Sequence, residues 1–256
     1  MLLVINSNNT TTVFGVFDGD AKRGAWRIAT NASRTADEYA VWLTGLMGLA
    51  GIERAQIAGV ILANVVPQTS YQLKILCRTY FGGDPLVVGD PGVDTGIRIL
   101  LDRPEELGAD RIANAVGAKN RFAVPSVIID LGTATTFNVL DRDGNYLGGA
   151  IAPGIVISFE ALFARAAKLP PVEIKRPARV IGHSTVEAMQ SGMYWGYISF
   201  IEGMVRRIED ELGAGLTVVG TGSLVPLIAD GTKAIHHVEP DLTLLGLVDI
   251  YRRNRG

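Results

Sequence analysis

A short pattern occurs twice in this chain, and the duplication limits what the chain can fold into. Near the start it reads Leu3-Val4-Ile5-Asn6-Ser7-Asn8-Asn9-Thr10-Thr11-Thr12-Val13-Phe14-Gly15-Val16-Phe17. In the middle it reads Val127-Ile128-Ile129-Asp130-Leu131-Gly132-Thr133-Ala134-Thr135-Thr136-Phe137-Asn138-Val139-Leu140. Placing Asn6 on Asp130 gives an offset of 130 − 6 = 124 residues, close to half of the 256. Each copy is an apolar strand, a polar turn of small residues and a second apolar strand. Such a turn can aim backbone N–H groups and hydroxyls at an anion. Two of them facing each other across a cleft could hold a polyphosphate between domains.

The repeat favours two domains over one large one, divided as residues 1–115 and 116–256. Hydrophobic residues make up 48% and charged residues 20%, as in ordinary globular proteins. A net charge of −2 leaves no basic surface for a nucleic-acid partner. No apolar run approaches the ~18 residues that span a bilayer. Met1-Leu2-Leu3-Val4-Ile5 lacks a basic segment and a cleavage site, so it reads as a strand rather than a signal peptide. Cys77 is the only cysteine, which excludes an internal disulfide or a cysteine zinc cluster and suits a reducing cytoplasm. Its setting in Lys74-Ile75-Leu76-Cys77-Arg78 reads as a packed helix, with Cys77 a small buried hydrophobe.

Trp26 to Thr30 reads as a third strand, and Thr35 with Glu38 forms a capping box. The box opens a helix with Tyr39, Trp42, Leu43, Leu46 and Leu49 on one face. A buried strand at Gly59 to Ala63 is followed by a helix from Leu73 to Tyr80 and a strand near Pro85 to Val88. Pro104-Glu105-Glu106 starts a helix that carries Gly108-Ala109-Asp110-Arg111. In the second half a strand at Gly148 to Ala152 precedes a helix from Ile155. Ser184 and Glu187 make a second capping box, opening the longest helix, to about Leu212. Gly192, Gly196 and Gly203 interrupt that helix, at roughly 1 kcal/mol each, which close helix packing would offset. A strand at Leu216 to Val219 runs into Gly220-Thr221-Gly222-Ser223, and a helix from about Leu242 to Arg253 closes the chain. Strands alternating with helices predict an α/β fold.

Neither common nucleotide signature is present: there is no G-x-x-x-x-G-K-[ST], and Gly220-Thr221-Gly222 lacks a third glycine. Phosphate binding therefore falls to the two turns, for which a plain β-turn is the alternative. Asp110 beside Arg111 is either a surface ion pair or a general base that takes a hydroxyl proton during phosphoryl transfer. His183, His236 and His237 show no metal-ligand spacing, and His236-His237 reads as a solvated loop. Asp141 to Asn145 resembles a calcium loop, but Ala152 stands at its twelfth position, so it reads as a hairpin turn.

Taken together the residues resemble type III pantothenate kinases, of the actin/hexokinase/Hsp70-like superfamily. The resemblance runs along nearly the whole chain. It rests on Gly108 to Arg111, the Asp130 to Thr136 turn and Gly148-Gly149-Ala150-Ile151-Ala152-Pro153-Gly154. Leu169-Pro170-Pro171-Val172-Glu173, Ser191-Gly192 and Leu242-Thr243-Leu244 with Gly246-Leu247 add to it. It implies two RNase H-like (actin-like ATPase) domains with an interdomain cleft, a cytoplasmic homodimer, and ATP-dependent phosphorylation of pantothenate, the first step towards coenzyme A. It implies Asp110 as acceptor of the pantothenate hydroxyl proton. Leu101, Gly108, Ala109, Asp110, Arg111 and Thr185 would form the pantothenate pocket, with Arg111 on the carboxylate. Asn6, Ser7, Asn8, Asn9, Thr10, Thr11, Thr12 and Val13 would be the first ATP-binding turn, and Thr133 would touch ATP phosphate. Asp130 would hold a monovalent cation, potassium or ammonium, and Mg2+ would travel with ATP.

The chain departs from the family pattern where ligands would bind. The family's first turn reads Asp-x-Gly-Asn-Thr-Asn, against Asn6-Ser7-Asn8-Asn9-Thr10-Thr11 here. Asn6 lacks the charge that would attract magnesium, and Asn8 stands where glycine would admit phosphate to the backbone. Leu101 replaces a tyrosine, Leu245 a glutamate, Ser184 an asparagine and Ser223 a glycine. Alternatives to an active pantothenate kinase are a non-catalytic binding paralogue, or a phosphotransferase for another small acid or alcohol.

Overall fold

The computed structural model describes residues 1–165, 172–213 and 215–255. Leu169, Pro170 and Pro171 of the expected motif lie outside the described residues. The chain divides into two compact units: Met1–Arg98 with Asp102–Asn120 and Leu242–Gly256, and Ile99–Leu101 with Arg121–Asp241. The C-terminal helix thus groups with the first half of the chain, unlike the expected division into 1–115 and 116–256.

In the first unit the strands are β1 (Leu2–Ser7), β2 (Thr11–Asp18), β3 (Ala21–Ala29), β4 (Gly59–Asn64) and β5 (Leu86–Val87). They form one sheet in the order β3-β2-β1-β4-β5, antiparallel across β3-β2-β1 and parallel across β1-β4-β5. Alternation sends Leu3, Ile5, Phe14, Val16, Val60 and Leu62 to one face. There they meet Tyr39, Leu43 and Met47 of α1 (Ala36–Leu49) and Leu73, Leu76 and Cys77 of α2 (Ser70–Tyr80). The Thr35–Glu38 box caps α1 as expected. Leu49, expected on its apolar face, is 87% exposed, and Met47 is buried instead. The opposite face carries α7 (Leu242–Arg253), which packs on β1 and β4 and is backed by α3 (Ala109–Arg121).

The second unit repeats the design. Its strands are β6 (Ser126–Leu131), β7 (Ala134–Leu140), β8 (Tyr146–Pro153), β9 (Thr217–Thr221) and β10 (His237–Val238). Their order, β8-β7-β6-β9-β10, matches β3-β2-β1-β4-β5 strand for strand. Val127, Ile129, Leu131, Phe137, Val139 and Val218 bury one face against α5 (Thr185–Leu212) and α6 (Val225–Ala229). Helix α4 (Ile155–Arg165) packs on β7 and α5.

Three local expectations change. Pro104–Glu106 is only a 3₁₀ turn; Leu107 then goes extended, with φ −73° and ψ 120°, to bury its side chain, and α3 begins separately. At α5 Ser184 caps the Glu187 N–H, but Glu187 Oε2 accepts from His183 N at 2.7 Å, so the box is not reciprocal. His236-His237 is not free loop. His236 Nδ1 accepts from Val218 N at 3.1 Å, and His237 opens β10 with its ring 5.0 Å from that of Phe122. Asp141 to Asn145 is the hairpin turn expected, with Asp141 N donating to Asn145 O at 3.0 Å.

Candidate active site

The first turn leaves β1 at Ser7, whose register partner on β2 is Thr12. Asn8 N donates to Thr11 O at 3.1 Å and closes it. Among the described residues only glycines have positive φ, so Asn8 sits there without the strain its side chain would suffer in the left-handed region. Behind the turn runs a row of hydroxyls whose direction follows from one proton per hydroxyl. Thr30 Oγ1 donates to Asn8 O at 2.6 Å, so Thr12 Oγ1 donates to Thr30 at 2.9 Å. Ser7 Oγ then donates to Thr12 at 3.2 Å, and Thr69 Oγ1 lies 3.3 Å from Ser7. This row fixes the Asn8 carbonyl. Asn6 Oδ1 and Asn8 Oδ1 are both buried without a hydrogen-bond partner. Buried acceptors left so cost about 1–3 kcal/mol each. Each amide can meet a cation through oxygen or, turned by 180°, offer N–H to a phosphate oxygen.

Asp110 belongs to the same unit, in the first turn of α3. Gly108 O starts that helix by accepting from Arg111 N at 3.0 Å and Ile112 N at 3.1 Å. Asp110 Oδ1 accepts from Arg111 N at 2.8 Å. A Cβ on Gly108 would stand 2.7 Å from that Oδ1 and 3.4 Å from Val65 Cγ1. Val65 N in turn donates to Ser7 O at 3.0 Å, which ties the Asp110 cap to the end of β1. Burial pushes the Asp110 carboxyl above the usual aspartate range, against the opposing pull of the Arg111 N–H and guanidinium. A carboxylate of this kind holds a proton more readily than an exposed one. Ala109 is buried behind it.

In the second unit Asp130 is the last residue but one of β6, and Leu131 pairs with Thr135 around Gly132, Thr133 and Ala134. This turn is one residue shorter than the first, where Asn8, Asn9, Thr10 and Thr11 separate Ser7 from Thr12. Gly154 N donates to Thr133 O at 3.1 Å, anchoring the Gly148–Gly154 stretch on the turn. Leu101 lies beside Gly148, where its Cδ2 would be 3.9 Å from a Cβ. Thr185, at the start of α5, lines an apolar groove of about 460 Å³ with Leu162, Ala188, Met189, Gly192 and Met193. The expected site residues therefore fall in two groups. Asn6 to Val13 and Gly108 to Arg111 are in the first unit; Leu101, Asp130, Thr133 and Thr185 are in the second.

The family model for type III pantothenate kinase matches residues 2–207. A type III pantothenate kinase of Paramagnetospirillum magneticum is 57% identical over 254 residues, covering 99% of this chain and 98% of that protein. One from Rhodospirillum rubrum is 56% identical, covering 100% and 99%. The chain belongs to the type III pantothenate kinase family. Among solved structures, the ROK hexokinase of Thermus thermophilus has a TM-score of 0.52 at 12% identity, covering 100% of this chain and 99% of that one. The activator of 2-hydroxyisocaproyl-CoA dehydratase from Clostridium difficile has a TM-score of 0.54 at 14% identity, covering 99% and 96%. At these identities the likeness is one of fold: the actin-like ATPase and sugar-kinase architecture of two mixed sheets with helices.

The first turn has a neutral donor set. It offers two neutral amide oxygens and no carboxylate, whereas Mg2+ is commonly held through carboxylates together with substrate phosphates. These residues do not fit a directly held divalent ion, which would travel with the nucleotide phosphates instead. Thr30 and Thr69 back the turn from far along the chain, and no sequence signal marks them. Thr136, within the turn expected from the sequence, and Thr221, in the Gly220-Thr221-Gly222-Ser223 run at a strand end, flank Asp130 in register.

Proposed function

We propose that this chain phosphorylates pantothenate with MgATP, giving 4'-phosphopantothenate and ADP at the start of coenzyme A synthesis. The family match over residues 2–207 and the relatives that align along nearly the whole chain support the reaction. The observation that carries the mechanism is Asp110, a half-buried carboxylate fixed at Oδ1 by the Arg111 N–H on a glycine cap. Its Oδ2 takes the proton from the pantothenate hydroxyl. That oxygen bonds to the γ-phosphorus as the bond to the bridging oxygen breaks, ADP leaves, and Asp110 returns its proton to solvent. Arg111 pairs with the pantothenate carboxylate, and Leu101, Gly108, Ala109 and Thr185 complete the acceptor site. Residues 6–13 and Thr133 bind ATP, and Asp130 holds potassium or ammonium. The protein is a cytoplasmic homodimer, in which a second copy would pack on the open surface beside Gly192 and Gly196 of α5. Among the described residues no helix is long and apolar enough to cross a membrane.

Nothing in the structure or among the relatives favours a non-catalytic paralogue. The test is ADP release by the purified protein with MgATP and K+, with and without pantothenate. Release that depends on pantothenate and vanishes in Asp110→Asn supports the proposal; release indifferent to either overturns it.

A further inference from the structure

The two sheets are built alike, but they differ in what flanks the penultimate residue of the strand before each turn, Asn6 in the first and Asp130 in the second. Asp130 on β6 is in register with Thr136 on β7 and with Thr221 on β9. Side chains at paired positions share a face, so Thr136, Asp130 and Thr221 lie side by side, opposite the face that packs on α5. In the first sheet the partners of Asn6 are Val13 and Ala63, so the row is no requirement of the fold. Thr136 Oγ1 accepts from Asn138 Nδ2 at 2.9 Å, and Asn138 Oδ1 accepts from Tyr146 Oη at 2.9 Å. That chain turns the Thr136 oxygen into a held group. Thr221 Oγ1, by contrast, is fully buried and has no hydrogen-bond partner among the described residues.

The next residue shows what the space is kept for. Gly222 has φ +93°, which side-chain-bearing residues rarely adopt, and a Cβ there would stand 2.5 Å from Asp130 Oδ1 and 2.6 Å from Leu131 O. A side chain at 222 would fill the space next to the carboxylate. A half-buried carboxylate, an orphaned buried hydroxyl and a carbonyl around one glycine make a donor set of oxygens, the kind that replaces the hydration shell of an alkali cation. The carboxyl ends of parallel strands, where Asp130 and Thr221 sit, are also where α/β sheets place ligands.

We propose that Thr221 is a cation ligand, which with Thr136 completes the oxygen cage of the monovalent ion held at Asp130. The inference rests on the preceding reading for the ion at Asp130, and adds residues to it. The orphaned hydroxyl is then a group waiting for an ion rather than an error of packing.

The test is thermal unfolding of the full-length protein without substrates, in KCl and in choline chloride at equal ionic strength. An ion bound only by the folded state raises the Tm as its concentration rises. The wild type is expected to unfold higher in KCl. Thr221→Val, which keeps the shape and removes the hydroxyl, is expected to raise the half-saturating K+ concentration roughly tenfold or more, the scale of one lost hydrogen-bond-strength contact to a charge. It should also unfold at or above the wild-type temperature in choline chloride, because a methyl replaces an unsatisfied hydroxyl. Thr221→Ser should restore the potassium effect, and serves with Thr221→Ala if the valine variant does not fold. A potassium effect that survives unchanged in Thr221→Val or Thr221→Ala but disappears in Asp130→Asn overturns the role of Thr221 alone. No potassium effect in the wild type overturns the ion at Asp130 and this inference with it. Pantothenate phosphorylation is scored separately by ADP release, so its failure leaves the Tm result standing.

Discussion

Asp110 shows how one side chain is tuned by its position. Its raised pKa means that the folded protein holds a proton that the unfolded chain would release. Above the unfolded pKa the ionised carboxyl therefore costs folding free energy, and the cost disappears as pH falls below that value. Asp110→Asn should accordingly unfold at a higher temperature than the wild type at pH 7, with the difference shrinking as the buffer is acidified towards pH 4. Calorimetry across that range checks it. The same variant should lose pantothenate-dependent turnover by about 10²–10⁴-fold, the usual worth of a general base. For the wild type, the acid limb of kcat/KM should fall at a pH above that of an exposed aspartate. Cys77 makes no such contribution: burial pushes its thiol up to about 12, so Cys77→Ser leaves the pH profile unchanged. Asn6 has a buried side-chain oxygen with no hydrogen-bond partner among the described residues, near the end of β1. Asn6→Asp should lower the Mg2+ concentration that gives half-maximal activity, by restoring a carboxylate where the structure has an unpartnered amide oxygen. An unchanged Mg2+ titration would remove Asn6 from the nucleotide site.

At the scale of elements, the caps and turns decide whether those residues are placed correctly. A methyl on Gly108 would meet the Asp110 carboxyl at 2.7 Å and Val65 at 3.4 Å. Gly108→Ala should therefore depress kcat at least tenfold while leaving the far-UV spectrum of the protein intact. The hydroxyl row behind the first turn is a second such device. Thr12→Val leaves Ser7 and Thr30 each short of a partner, at about 1–3 kcal/mol, and chemical denaturation measures the loss. Much at this scale was readable in advance. The apolar–polar–apolar repeat announced both hairpins, and Thr35 with Glu38 placed the start of α1. What could not be read are the joins between distant segments. Thr69 and Thr30 reach Ser7 and Asn8 across the fold, and neither stands in a motif of its own. The helix expected from Pro104 failed for a related reason: proline and two acids favour helix locally, but the burial of Leu107 breaks it.

For the molecule as a whole, duplication was the most legible property, and the division of the chain the least. Two sheets with one strand order follow from an offset of about half the length. The C-terminal helix follows the second repeat in sequence yet completes the first unit. Gly246 shows how tightly it is seated, since a Cβ there would lie 1.8 Å from Ala113 O. Gly246→Ala should destabilise the first unit by several kcal/mol, as overpacking against backbone does. Urea unfolding followed by tryptophan fluorescence, with Trp26 and Trp42 in the first unit and Trp195 in the second, resolves which unit responds.

The return of α7 to the first sheet also has a consequence for synthesis. A ribosome releases residues 121–241 as an unbroken stretch, so that body can close while the tail is still in the exit tunnel. The body begun earliest must wait for the last segment to arrive, its sheet bare on one side until then. The half of this enzyme that is translated first is therefore the half that finishes folding last.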